Sequence, residues 1–132
     1  MAAYCGVYVG RRCMVAVVVD TDGSASPPVR AGRSPTDEWQ LLVDVEANCG
    51  LDIELVLPDW LARAGSVAPF AAARHMPVWL APAALVEDVR LAANARRPDH
   101  VAAIIARLPL TSRLRGELRR VRTPDERQLA LL

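Results

Sequence analysis

Ala3-Tyr4-Cys5-Gly6-Val7-Tyr8-Val9, then Gly10-Arg11-Arg12, then Cys13-Met14-Val15-Ala16-Val17-Val18-Val19-Asp20 is the stretch that decides the fold. Its two flanks are rich in valine and tyrosine, which suit a pleated, half-buried surface. A short glycine-containing link joins them, so the pair reads as a β-hairpin. Asp20-Thr21-Asp22-Gly23 is a turn signal that closes the second strand. Pro27-Pro28 then confines Val29-Arg30-Ala31 to a short edge strand, because proline cannot donate to a central ladder.

Beyond residue 34 the pattern alternates. Ser34-Pro35-Thr36-Asp37-Glu38 predicts a helix start. Ser34 caps it, Pro35 fits the first position, and the two acids complement the helix dipole. Trp39, Leu42, Val43 and Val45 follow at helical spacing, and Gly50 is the expected stop. Leu51–Leu57 reads as a buried parallel strand, ended by Pro58-Asp59. A turn of helix at Trp60, a helix from Ser66 to Met76 and a strand at Pro77–Ala81 come next. A helix over Ala83–Ala95 follows, then another over Asp99–Leu108 behind Arg96-Arg97-Pro98. Thr111 to Arg122 reads as one basic helix, and Thr123-Pro124-Asp125-Glu126 restarts a last short one. A hairpin feeding alternating strands and helices implies an α/β fold. Its mixed β-sheet carries helices on both faces and ends in a helical C-terminal tail.

Composition narrows the functions available. At 132 residues, 52% of them hydrophobic, the chain suits one folded domain with a sizeable core. No apolar run approaches the ~20 residues that cross a bilayer, so no membrane role is expected. Every one of the 16 basic residues is arginine. Lacking lysine, the chain supports neither Schiff-base chemistry nor a P-loop. The net charge of +1 hides an asymmetry. Residues 1–66 hold 5 Arg and 9 acids, whereas residues 67–132 hold 11 Arg and 6 acids. Three cysteines, Cys5, Cys13 and Cys49, form no CxxC pair, and no export signal opens the chain. The expectation is a reducing cytoplasm with buried thiols. His75 and His100 show no ligand spacing with them, so no zinc site is expected.

The order of elements is similar to the ribonuclease H-like fold, and in particular to the RuvC-like N-terminal domain of Piv-type DNA invertases and related insertion-sequence transposases. The first strand of that family carries G-[ILV]-D-[ILV]-[GS]-[KR]; here Gly6-Val7-Tyr8-Val9-Gly10-Arg11 stands in its place. Ile53-Glu54-Leu55-Val56-Leu57-Pro58-Asp59 leads into Leu61-Ala62-Arg63-Ala64-Gly65, as the family's acid-ended strand leads into its helix. Arg97-Pro98-Asp99-His100-Val101-Ala102 matches the family's basic residue and Asp but lacks the second Asp three residues on. The resemblance covers about residues 4–108.

The resemblance implies four carboxylates holding two Mg²⁺ ions that activate water and stabilise a leaving oxygen. In this chain the four positions are Tyr8, Asp59, Asp99 and Ala102. Only two are acidic, and a phenol with a pKa near 10 does not replace a carboxylate on Mg²⁺ at neutral pH. Ordinary structural roles also account for the two acids. Asp59 can cap the turn at Trp60, and Asp99 can be a first-turn acid. The expectation is therefore no cofactor, no metal site and no catalysis. Mg²⁺ enters only if Asp59 and Asp99 retain one ion in a residual metal-dependent nuclease.

Residues 1–110 would form the ribonuclease H-like domain. Residues 111–132 would form a basic helical extension packed on that domain or on a partner. Arg113, Arg115, Arg119, Arg120 and Arg122 on that extension are the candidate contacts to DNA or RNA. The competing expectation is a protein-interaction subunit with no nucleic-acid role. Its basis is the apolar end Leu129-Ala130-Leu131-Leu132, with a homodimer formed through the C-terminal helices.

Overall fold

The computed structural model describes residues 2–10, 12–49, 52–64 and 66–121. Strand β1 (Ala2–Val9) pairs antiparallel with β2 (Met14–Asp20) in the register Val9↔Met14 and Cys5↔Val18, which is the expected hairpin. Strand β3 (Val29–Ala31) lies antiparallel on β2 at the sheet's edge. Strand β4 (Asp52–Pro58) runs parallel to β1, and β5 (Val78–Ala81) parallel to β4. The full order is β3-β2-β1-β4-β5-β6, with β6 (Arg119–Val121) antiparallel to β5.

Period-2 alternation sends each strand's side chains to two different cores. Cys5 and Val7, Ala16 and Val18, Leu55 and Leu57, Val78 and Leu80 face helices α1 (Pro35–Cys49) and α3 (Val67–Ala73). Tyr4, Val56 and Ala81 face α4 (Ala83–Ala92) and α5 (Pro98–Arg107). Burying each Leu or Val of these layers is worth roughly 1.5–3 kcal/mol, so the two cores supply most of the folding drive. The Ser34 hydroxyl caps α1 as its position implies, accepting from the Asp37 amide at 3.1 Å. Glu38, one turn in, is buried and accepts the Ser66 amide at 2.8 Å, which ties α1 to the start of α3.

Helix α5 lies directly on β1 because both surfaces are small. A Cβ on Gly6 would collide with the Ala102 carbonyl and the Ala106 amide of the helix backbone. A Cβ on Gly10 would sit 3.2 Å from Pro98 Cγ. Pro98 therefore rests over the end of β1 and Ala102 over Gly6, with Tyr8 on the same sheet face between them.

The structure corrects several sequence expectations. The basic helix expected over Thr111–Arg122 does not form. After a 3-10 turn at Leu108–Leu110, helix α6 spans only Ser112–Arg115, and Arg119–Val121 is strand β6. Gly116 caps that helix, and buried Leu118 turns the chain back onto the sheet. The helix expected to reach Ala95 stops at Ala92, because Asn94 adopts φ 52 and the Ala95 amide returns to the Arg90 carbonyl. Ser66 makes no side-chain cap on α3. All three thiols are free, but of the three expected to be buried only Cys5 is, with Cys13 and Cys49 half-buried. Arg11, Gly50, Gly65, Arg122 and the expected last helix with its Leu129–Leu132 end lie outside the described residues.

Candidate functional site

Strands β1 and β4 end together, since Gly6 pairs with Val56 and two more residues bring β1 to Tyr8 and β4 to Pro58. Tyr8 is half-buried and packs against the aliphatic clusters under α4 and α5. Asp99 lies in the first turn of α5. Its Oδ2 accepts Arg97 Nη2 at 3.1 Å, and its Oδ1 is shielded from solvent with no hydrogen-bond partner among the described residues. Desolvation raises the Asp99 pKa. The Arg97 charge and the amides of Asp99 and His100 outweigh it and hold the carboxyl below its ordinary value. Ala102, one turn on, is wholly buried against Val15, Val17, Val19, Ala103 and Ala106. Helix α5 thus brings Tyr8, Asp99 and Ala102 to one end of β1.

Asp59 stands at the same end of the sheet as the first residue of α2 (Asp59–Ala64). It lines a cleft of about 230 Å³ with Leu80, Pro82, Glu117 and Arg119, on the β5–β6 flank. The cleft takes in neither Tyr8 nor Asp99. The donor set does not fit a pair of Mg²⁺ ions. One position is a phenol and another is a methyl group sealed among valines. Hard divalent cations need clustered anionic oxygens.

The arginines occupy this same β5–β6 flank, away from Tyr8 and Asp99. Arg113 and Arg115 on α6, and Arg119 and Arg120 on β6, are all exposed. Glu117 is the single acid in this ten-residue segment, 112–121. Arg115 lies over Trp79, its guanidinium carbon 5.0 Å from the ring centre, and Nη1 donates to the Tyr4 hydroxyl at 3.5 Å. Trp79 Nε1 in turn donates to Glu54 Oε1 at 3.0 Å. Glu54 sits beside Tyr4 in the β1–β4 register, so one sheet face presents Tyr4, Glu54 and Trp79 beneath α6. The sequence reading missed this group because its members lie on four elements. Its one local signal was Glu54 on the same strand face as buried Val56.

This sheet, an antiparallel hairpin extended by parallel strands with helices on both faces, is a ribonuclease H-like fold. Among solved structures the chain is similar to T. thermophilus RuvC in complex with Holliday junction substrate. The TM-score is 0.60 at 17% identity, over 92% of this chain and 100% of that one. No family model and no curated protein matches the sequence. Among the described residues no helix is long and apolar enough to cross a membrane.

Proposed function

We propose that this chain is a catalytically inactive ribonuclease H-like module that binds nucleic acid along α6 and β6. The observation that carries the binding half is the sequence of exposed Arg113, Arg115, Arg119 and Arg120 on one continuous segment with a single acid among them. Guanidinium groups in such a strip match backbone phosphates and need no base-specific geometry. A chain with this fold has been seen holding a nucleic-acid substrate, which supports the same partner class here. The inactive half follows from Tyr8 and Ala102. Without the first and fourth carboxylates, nothing positions two cations across a scissile phosphate. The resemblance to Piv-type invertases and insertion-sequence transposases extends this reading to descent from a mobile element.

Fluorescence anisotropy with labelled duplex and single-stranded DNA and RNA tests the proposal. Affinity should fall by about tenfold or more as salt rises from ~50 to ~200 mM, as when several phosphates release counterions. No shift with any of these probes at low salt would remove the binding claim. Calorimetry with Mg²⁺ and Mn²⁺ tests the rest. Binding tighter than about 1 mM, with cleavage of a supercoiled plasmid, would instead establish a residual one-metal enzyme on Asp59 and Asp99.

A further inference from the structure

We propose that Arg115 is the anchoring phosphate contact of the α6–β6 face, and that Trp79 is the residue that positions it. The inference rests on the nucleic-acid reading above and narrows it to one side chain and its platform. Three observations converge on it. Arg115 is exposed, yet its guanidinium is laid on the Trp79 ring at 5.0 Å and tethered to the Tyr4 hydroxyl at 3.5 Å. The ring beneath is itself held, with Nε1 donating to Glu54 at 3.0 Å from its place on β5. Tyr4 is buried in β1, beside Glu54 of β4. The cation therefore rests on side chains rooted in three neighbouring strands.

An ordinary surface arginine gives up much rotamer freedom when it grips a phosphate. A stacked one has given up most of it already. Stacking also leaves the edge of the guanidinium fork, which carries the N–H donors, open to a planar bidentate partner. Arg113, on the same short helix, is exposed and has no ring beneath it among the described residues. The two arginines share a charge, a helix and an exposure class, and differ in the platform.

The test measures binding of a labelled DNA duplex over a range of salt by four full-length variants: R113A, R115A, W79F and W79L. Thermal melts establish that each is folded. R115A should lose about fivefold more affinity than R113A, and its log K against log salt slope should flatten by about 0.9, the share of one phosphate. W79F keeps a ring under the cation while removing the bond to Glu54, and should bind within about twofold of the parent. W79L should weaken binding with an unchanged salt slope, because it removes order and no charge.

Equal losses in R113A and R115A would overturn the proposal while leaving the α6–β6 interface standing. Parent-like binding by a folded W79L would overturn it too. Should W79L fail to fold, the comparison of R113A with R115A still decides. No binding by the parent chain at low salt would sink the interface itself, and this inference with it.

Discussion

The backbone of Ala102 occupies the space that a Cβ on Gly6 would need. This pairing of a glycine in the first strand with an alanine on α5 sets the distance between α5 and β1. Gly6→Ala therefore has to push the helix away from β1, against backbone atoms that have no rotamer to yield. A loss of about 3 kcal/mol or more is expected, at the upper end of overpacking effects. Urea denaturation followed by circular dichroism measures it, and a change below about 1 kcal/mol would mean the helix slides freely.

Restoring the fourth acid should harm the protein before it helps catalysis. Ala102→Asp puts a carboxylate among Val15, Val17 and Val19. Burying such a group unpaired costs on the order of several kcal/mol. The variant should melt well below the parent, and the double variant with Tyr8→Asp should show no metal-dependent cleavage. A stable, Mg²⁺-binding A102D protein would show that this position opens to the site after all.

Alkaline solution should weaken the fold through Cys5. Burial, reinforced by the neighbouring Cys49, pushes this thiol from 9.0 to about 12 in the folded chain. The sign follows from proton counts. Above the unfolded value the unfolded chain sheds the proton that the folded chain keeps, so unfolding is favoured as pH rises. Stability is whole below pH 9.0 and declines toward pH 12, at a slope of up to about 1.4 kcal/mol per pH unit. Cys5→Ala should flatten most of that slope in denaturant melts at pH 8, 9 and 10. An unchanged slope would assign the effect to other groups.

Asp59 and Glu117 share their cleft with Arg119, so they border the basic face and oppose an incoming phosphate. The double variant D59N/E117Q should bind duplex DNA about two- to threefold more tightly at low salt, and the gain should vanish as salt screens it. Unchanged affinity at low salt would place the nucleic acid away from that cleft.

Much of the fold was legible because its signals are local. The valine-rich hairpin, the Ser34 cap and the helix that follows Pro98 each state their structure within a few residues. Strand β6 did not, because Arg119-Arg120-Val121 is too short to show alternation. Its pairing with β5, some forty residues earlier, makes it a strand. For the same reason, the family resemblance that picked out Tyr8 and Ala102 gave no hint of Arg115 stacked on Trp79, a relation that exists only once four elements have met. Asp59 was read toward the other acids, but a strand's end can turn its acid to either flank, and here it lines the β5–β6 cleft.

Among the described residues, both flanks of the sheet end in three-residue strands that carry arginine: Arg30 in β3, and Arg119 and Arg120 in β6. A longer, uncharged border would offer neighbouring molecules a row of open amides and carbonyls on which to zip together. Here the row is too brief, and like charges meet when two copies approach flank to flank. Concentrated solutions of this protein should accordingly stay dispersed, without growing into fibrils.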